Sequence, residues 1–216
     1  MTKQEIFINE RPFTIKTTFN KKEIMEGLQY AKDNHCASVC INPCNLDIAR
    51  EVLEGSDVKI GTVIGFPSGA HTTFSKVAEA IDAYARGAVE LDMVIDIGAL
   101  RNGEYDDVYN DIKAVVDATP AVVKVILENC YLTKEQIVKG CQLCEKAGAD
   151  FVKTSTGFAE GGATVEDIKL MRESVSEKVH VKAAGGIHSK EDVEALVAAG
   201  ADRVGVSRTQ AIAAEF

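Results

Sequence analysis

Short apolar runs alternate with amphipathic stretches along the chain, and this alternation limits the folds that the sequence can adopt. Runs that are apolar throughout are typical of strands buried on both faces of a parallel sheet. Stretches of helical period lie between them, for example over 21–33 and 189–199. Such units predict an α/β fold, a (β/α)8 TIM barrel, with a doubly wound sheet as the alternative. The predicted strands lie near residues 13–18, 37–42, 58–65, 89–95, 121–127, 150–154, 179–183 and 202–206.

Local signals mark the ends of the predicted helices. Asn20, Thr133, Thr164 and Ser189 stand where helix N-caps are expected. A Gly-Ala pair precedes three of the predicted strands, which suits a glycine that ends a helix. No linker or shift in composition divides the chain, so we expect residues 1–216 to form a single TIM-barrel domain.

Composition narrows the class of partner. The formal net charge is −9, with 24 basic and 33 acidic residues, which disfavours nucleic acid and anionic membranes. An anionic ligand therefore needs a local site of backbone N–H groups and a few cations. The N-terminus has no apolar core of signal-peptide length, and no apolar run has the length of a membrane span. We therefore expect a cytoplasmic protein.

Cysteine spacing gives no support for a metal site. The pair at 141 and 144 has no second CxxC and no nearby pair of histidines, so zinc binding is not expected. In a cytoplasmic chain the remaining cysteines are expected to be free thiols as well. The six cysteines are Cys36, Cys40, Cys44, Cys130, Cys141 and Cys144.

Three lysines occupy three consecutive predicted strands at intervals of 29 residues: Lys124, Lys153 and Lys182. On one barrel they would converge near its mouth, where chemistry collects. A buried lysine near another cation loses its proton easily and becomes a nucleophile for a carbonyl carbon. The alternative is a network that serves stability alone, for example an ion pair between Glu90 and Lys124.

Alternation within strands assigns the acidic side chains to faces. Glu90 and Asp92 share one face of their strand, and Lys124, Ile126 and Glu128 share a face of the next.

Glycine-bearing loops follow the last three predicted strands. Gly157 follows the sixth, Gly185 and Gly186 follow the seventh, and Gly205 and Ser207 follow the eighth. Bare backbone in such loops can approach an anion closely, and barrels often bind phosphate in this corner. The sequence therefore predicts a phosphate site beside the lysines.

At these residues the chain resembles the class I deoxyribose-phosphate aldolase family. The resemblance extends from about residue 37 to 206, and the combination of KTSTGF with a later KAAGG is the most specific part of it. The segments are TVIGFPSGAHTTFSKVAEA at 62–80, GAVELDMVIDIGALRNGEY at 87–105, FVKTSTGFAEGGATVEDIKLM at 151–171 and VKAAGGI at 181–187.

The resemblance implies a small phosphorylated sugar and aldehydes as ligands. The reaction would be reversible cleavage of 2-deoxy-D-ribose 5-phosphate to acetaldehyde and D-glyceraldehyde 3-phosphate, with no metal and no cofactor. Lys153 would form the Schiff base, and Lys182 would keep Lys153 partly neutral and assist proton transfer. Asp92 would join the proton relay, the alternative being that it is only an ionic partner of Lys182. Cys40 would pack against the pocket, and a homodimer is implied.

Three positions depart from the family pattern. Lys16 stands where the first strand of the family, IDHTLL, has an aspartate near the sugar hydroxyls. Ser207 and Arg208 lie in GVSRT, where the family has GTSSG, so one phosphate-binding serine is lost and an arginine that can grip phosphate is gained. Asp96 adds a negative charge close to Asp92.

These departures keep other hypotheses open beside a working deoxyribose-phosphate aldolase. Lys16 and Arg208 are compatible with a family aldolase that prefers another acceptor or a different phosphate group. They are also compatible with a non-catalytic phosphosugar-binding barrel. Another phosphate-binding barrel that uses acid–base chemistry without a Schiff base is a further alternative.

Overall fold

The computed structural model describes residues 16–206. Seven parallel strands form one sheet, and their spatial order follows their order in the chain. Sequential order excludes a doubly wound sheet for this part of the chain, because that fold reverses the strand order at a switch point. The strands are β1 (Ser38–Ile41), β2 (Lys59–Ile64), β3 (Glu90–Val94), β4 (Val122–Ile126), β5 (Phe151–Lys153), β6 (His180–Ala184) and β7 (Arg203–Gly205).

Helices connect the strands and cover the sheet. Short 3₁₀ turns follow β1 (Pro43–Asn45) and β4 (Asn129–Tyr131). The α-helices are α1 (Lys21–Asp33), α2 (Leu46–Val52), α3 (Thr73–Ala85), α4 (Ile97–Asn102), α5 (Tyr105–Ala118), α6 (Lys134–Ala147), α7 (Val165–Ser174) and α8 (Lys190–Ala198).

The predicted helix ends are confirmed by side-chain contacts. Asn20 caps α1 by accepting a hydrogen bond from the Glu23 N–H at 3.1 Å. Thr133 and Ser189 form capping boxes at the start of α6 and α8, and Thr164 caps α7. The glycines predicted to follow helices have positive φ, which a residue without Cβ adopts freely, at Gly87, Gly148 and Gly200.

The first predicted strand is wrong over residues 16–18, and its remainder lies outside the described residues. Thr17 and Thr18 form a turn, in which the Phe19 N–H donates to the Lys16 carbonyl at 3.4 Å. The turn leads directly into the cap of α1, so no strand can continue through it. The other seven predicted strands differ from the observed ones by one residue at each end.

The core lies between the sheet and its helices. Every residue of β3 is buried, as expected for a strand that packs on both faces. Each helix turns an apolar stripe to the sheet, for example Ile24, Leu28 and Ala31 of α1. Strands β1 and β7 lie at opposite edges of the sheet, yet both contribute to one cavity, so the sheet is curled.

All six cysteines are free thiols, and Cys141 and Cys144 are buried in α6. Across residues 16–206, His, Cys, Asp and Glu side chains form no group of three arranged to hold a metal ion. The same part of the chain has no helix that is long and apolar enough to cross a membrane.

Candidate active site

Asp92 is the centre of a buried cluster formed by four neighbouring strands. The sheet register places Asp92 of β3 beside Lys124 of β4, and Lys153 of β5 beside Lys182 of β6. The Lys153 Nζ and the Lys182 Nζ both donate to the Asp92 Oδ2, at 2.9 and 3.0 Å. The Lys124 Nζ lies 3.3 Å from Oδ1 of the same carboxylate. The structure therefore brings together the three residues that the sequence placed in the catalytic set.

A second carboxylate extends the cluster away from the cavity. The Lys124 Nζ donates to the Glu90 Oε2 at 2.7 Å, and Arg203 of β7 donates to the Glu90 Oε1 at 2.9 Å. Both cations also lie over the Phe151 ring, at 5.6 and 5.0 Å from its centroid. The ion pair between Glu90 and Lys124 is therefore present, and Lys124 joins it to Asp92.

Arg203 is a member of this cluster that the sequence analysis missed. It stands at the start of β7 and crosses to β3, which is distant in the sheet order. An arginine that opens an apolar strand was the available signal, but only the curvature of the sheet shows which carboxylate it contacts.

A cavity of about 500 Å³ opens above the lysines. Lys153 and Lys182 line it, whereas Asp92 lies behind them and has no exposed surface. Ser207 and Arg208, which were predicted to bind phosphate, lie outside the described residues. The other predicted binding residues all line the cavity: Lys16, Cys40, Gly157, Gly185, Gly186 and Gly205.

Glycines shape one side of the cavity. Gly157, Gly185 and Gly186 have φ values of 84°, 79° and 71°, in the left-handed region that favours glycine. Gly162 packs against the Gly185 backbone so closely that a Cβ added to Gly162 would lie 2.5 Å from the Gly185 oxygen. The Ala163 N–H also donates to that oxygen, at 2.9 Å. The loops after β5 and β6 therefore hold one another in place.

An apolar wall stands on the β1–β2 side of the cavity. Cys40 and Val63 are buried together, and Phe66 packs against them. The Phe158 ring meets the Phe66 ring edge to face, at a centroid distance of 5.2 Å, and is half exposed on the cavity. The sequence analysis placed Cys40 here but missed Phe66 and Phe158, although both follow strand ends.

The structure shows where two of the three departures from the family pattern lie. Lys16 lines the cavity from an exposed turn, and its Nζ lies 5.6 Å from the Phe19 ring centroid. Asp96 is the N-cap of α4, where its carboxylate accepts a hydrogen bond from the Ala99 N–H at 2.9 Å. Its negative charge is therefore explained by helix capping.

This arrangement provides the groups for nucleophilic catalysis on a carbonyl. The Lys153 amine, at the edge of the cavity, is hydrogen-bonded to the buried Asp92 carboxylate. The Lys182 amine is hydrogen-bonded to the same oxygen of Asp92. A primary amine held in this way at the edge of a cavity can attack a carbonyl carbon when it is neutral.

Comparisons with known proteins show which family the chain resembles. A model of the DeoC/LacD family aldolases matches residues 9–209. A deoxyribose-phosphate aldolase of Thermoanaerobacter pseudethanolicus is 53% identical over 206 residues, which cover 94% of this chain and 92% of that protein. A deoxyribose-phosphate aldolase of Clostridium perfringens (strain SM101) is 54% identical over 200 residues, covering 92% and 89%. The tetrameric deoxyribose phosphate aldolase of Aeropyrum pernix is similar with a TM-score of 0.92 and 27% identity, covering 100% and 92%.

Proposed function

The chain belongs to the DeoC/LacD family of aldolases, and from this premise we propose that it reversibly cleaves 2-deoxy-D-ribose 5-phosphate through a Schiff base on Lys153. The products are acetaldehyde and D-glyceraldehyde 3-phosphate. The observation that carries the proposal is the Asp92 Oδ2, which accepts hydrogen bonds from both Lys153 and Lys182 at the edge of the cavity.

In the first step the neutral Lys153 amine attacks C1 of the open-chain sugar. Lys153 is the candidate because its amine lines the cavity, whereas Lys124 is fully buried between two carboxylates. Lys182 donates a hydrogen bond to the same Asp92 oxygen as Lys153, which places it to exchange protons with the reacting groups. The carbinolamine then loses water to give an iminium ion, with protons moved between Asp92 and Lys182.

Cleavage of the carbon–carbon bond follows from the iminium ion. When the C3 hydroxyl loses its proton, the C2–C3 bond breaks and its electron pair moves toward the iminium nitrogen, which leaves an enamine on Lys153. Glyceraldehyde 3-phosphate departs as the aldehyde formed at C3. Protonation of the enamine at C2 and hydrolysis of the imine then release acetaldehyde and restore the amine.

The phosphate is proposed to bind at the glycine loops. Gly157, Gly185, Gly186 and Gly205 present backbone to the cavity without side chains that would keep an anion away. Ser207 and Arg208, beyond the described residues, are proposed to complete this site with a hydroxyl and a guanidinium. No metal or cofactor has a role in the steps above.

The remaining features of the protein are proposed from the family. We propose that residues 1–216 form one domain and that the curled sheet is completed to a (β/α)8 barrel. We further propose that the protein is cytoplasmic and forms a homodimer, which is smaller than the tetramer described for the Aeropyrum pernix enzyme.

Reductive trapping tests the proposed function directly. The protein is incubated with 2-deoxyribose 5-phosphate, reduced with borohydride, digested and mapped by mass spectrometry. We expect an ethyl group on Lys153, because cleavage leaves the two-carbon fragment on the nucleophile. The Lys153→Met variant should form no adduct there and should release no acetaldehyde. An ethyl group on a different lysine, or turnover by Lys153→Met, would contradict the assignment.

A second candidate function differs in the acceptor. Lys16 adds a cation to the cavity lining where the family has a carboxylate near the sugar hydroxyls, which favours acceptors that carry a negative group in place of those hydroxyls. A screen of acceptor aldehydes, with acetaldehyde as donor, separates the two functions. If glyceraldehyde 3-phosphate is the best acceptor, the second candidate is wrong. A barrel that binds the sugar phosphate without turnover or adduct would instead be a non-catalytic binding protein.

A further inference from the structure

Glu128 is a buried carboxylate that the proposed chemical steps do not use. It follows β4 with a φ of 55°, a left-handed conformation that is unfavourable for a residue with a side chain. Hydrogen bonds join the residues on either side of Glu128 to the backbone of Lys153 and of the residue after it. The Leu127 N–H donates to the Lys153 carbonyl at 2.9 Å, and the Asn129 N–H donates to the Thr154 carbonyl at 3.0 Å. The strained conformation is therefore held on both sides, next to the end of β5.

The Glu128 carboxylate is bound to the loop that follows the nucleophile. The Thr156 N–H lies 3.1 Å from the Glu128 Oε1 and 3.3 Å from its Oε2, and the Thr156 hydroxyl donates to Oε2. The same hydroxyl accepts a hydrogen bond from the Phe158 N–H at 3.0 Å. The Glu128 carboxylate therefore fixes residues 156–158. It does so through the Thr156 hydroxyl, which donates its proton to Glu128 and accepts a hydrogen bond from the Phe158 N–H.

This loop is a wall of the cavity. Thr156, Gly157 and Phe158 all line it, together with Lys153, whereas Glu128 stands behind Thr156. Gly157 lies between the two residues whose N–H groups are bound to Glu128 and to the Thr156 hydroxyl. Its own backbone conformation, with a φ of 84°, is therefore set by these two hydrogen bonds.

We propose that Glu128 is a positioning residue that holds residues 156–158 in the geometry needed to bind the phosphate of the substrate. The inference rests on the proposed function, and it adds a residue that does not touch the substrate. A loop held in its binding conformation loses less entropy when the ligand binds, so affinity rises without a new contact. A carboxylate suits the role because two donors of Thr156 converge on it, whereas a glutamine would turn an N–H group toward one of them.

The experiment compares three variants in steady-state kinetics and in trapping. They are Glu128→Gln, Thr156→Val, which keeps the shape but lacks the hydroxyl, and the double variant. We expect each single variant to raise KM for 2-deoxyribose 5-phosphate about tenfold, a loss of the size of one hydrogen bond to a charged group. The rate of adduct formation with acetaldehyde, which has no phosphate, should stay within about twofold of the wild type.

The double variant tests whether Glu128 acts through Thr156. If it does, the double variant should be about as impaired as the worse single variant, since both changes remove the same loop contact. Glu166→Gln, at an exposed glutamate in the first turn of α7, is the matched control and should behave like the wild type.

Several outcomes would overturn the inference. An unchanged KM in Glu128→Gln would contradict it. A tenfold loss in the rate of acetaldehyde trapping would also contradict it, because such a loss indicates general damage to the site. Single effects that multiply in the double variant would show that the residues act independently. If Glu128→Gln does not fold, Thr156→Val alone tests the inference. Its KM for the sugar phosphate should rise while its rate of acetaldehyde trapping stays close to that of the wild type. A wild type that binds the sugar phosphate without cleaving it would count against the proposed function only, because weaker binding by the variants would still test Glu128.

Discussion

At the scale of single residues, Asp92 has the contacts of a proton carrier. One of its oxygens bonds two lysines that line the cavity, and the other faces Lys124 from behind. A carboxylate that served charge balance alone would not need to share one oxygen between the nucleophile and a second amine. Its burial would keep water from competing with the proposed proton transfers.

The Asp92→Asn variant tests this role. The amide has nearly the same shape, but it can neither hold a proton nor balance the lysines. We expect kcat to fall by about 100-fold or more, which is the contribution typical of acid–base catalysis. Asp47→Asn, which changes an exposed aspartate of α2 that pairs with Arg86, should stay near the wild-type rate. A kcat for Asp92→Asn close to the wild-type value would show that the carboxylate only balances charge.

The buried thiols of α6 give a prediction about pH. Burial raises the pKa of the Cys141 thiol to about 12 and raises the pKa of Cys144 well above its ordinary value of 9.0. Between pH 9 and 12 the unfolded chain therefore loses protons that the folded chain keeps, and the free energy of unfolding falls as pH rises. Each thiol contributes a slope of about 1.4 kcal/mol per pH unit within this window.

Urea unfolding at several pH values from 8 to 10.5 measures this slope. Cys141→Ala should reduce the slope, whatever its effect on the stability at pH 8. Cys44→Ala removes an exposed thiol and should leave the slope as it is in the wild type. Equal slopes in all three proteins would mean that the buried thiols do not cause the alkaline loss of stability.

At the scale of secondary-structure elements, a buried ion pair joins α3 to α5. Lys76 is fully buried, and its Nζ donates to the Asp111 Oδ2 at 2.6 Å and to the Val94 carbonyl at 3.0 Å. The Thr73 hydroxyl donates to the other oxygen of Asp111 at 2.7 Å. These contacts fix two helices and the end of β3 relative to one another.

Lys76→Met should therefore destabilise the fold by about 3–5 kcal/mol, because it leaves the Asp111 charge buried without its partner. Replacing both members, Lys76→Met with Asp111→Leu, should recover much of that loss. Lys113→Met, which breaks an exposed pair with Asp117 on α5, is the control and should cost less than about 1 kcal/mol. Urea unfolding gives all three values, and equal losses for Lys76 and Lys113 would contradict the argument.

The contact between the loops after β5 and β6 gives a second prediction at this scale. A Cβ on Gly162 would lie 2.5 Å from the Gly185 oxygen and 2.8 Å from the Gly186 nitrogen, and neither backbone atom can turn away. Gly162→Ala should therefore displace the proposed phosphate loop and lower kcat/KM for the sugar phosphate about tenfold. Gly98→Ala, whose nearest contact would be 3.4 Å, is the control. A wild-type kcat/KM in Gly162→Ala would show that the two loops do not position the phosphate.

At the scale of the whole molecule, the periodicity of the sequence was sufficient for the sheet but not for all of the site. Seven strands were predictable because runs buried on both faces differ from helices of period 3.6. The first predicted strand was wrong over 16–18 because the turn that leads into the cap of α1 overrides the strand preference of the β-branched Thr17 and Thr18. The prediction that Glu128 shares a strand face with Lys124 is also wrong. Strand β4 ends at Ile126, and Glu128 has a left-handed backbone conformation.

The site residues likewise divide into those that could be predicted from the sequence and those that could not. Lys153, Lys182 and Asp92 could be located because their spacing places them on predicted strands of one sheet and the family resemblance assigns their roles. The register pairs Lys153 with Lys182, whereas it pairs Asp92 with Lys124. Arg203 and the contacts of Glu128 depend on the curvature of the sheet and on a loop conformation, which no local pattern encodes. The long-range partner of a side chain is thus the part that a single sequence specifies least.

Association is a property of the whole molecule, and we expect the exposed face of α3 to be the surface that mediates it. Phe74 is 83% exposed and Ile81 is 51% exposed, and both share one face of the helix with the exposed Ala78 and Ala85. When two copies of α3 cross antiparallel about a two-fold axis, Phe74 of each copy faces Ala85 of the other. Ala78 likewise faces Ile81. Large residues then meet small ones, as an isologous interface requires.

We therefore expect a homodimer that uses this face, with a mass twice the 23.2 kDa of the chain. Phe74→Lys should shift the protein to the monomer in size-exclusion chromatography with light scattering, because two buried lysines would have no partner in the interface. Tyr131→Lys, which changes an aromatic residue 52% exposed after β4, should leave the dimer intact. A dimer that persists in Phe74→Lys would place the interface elsewhere, and a monomeric wild type would show that α3 does not drive association.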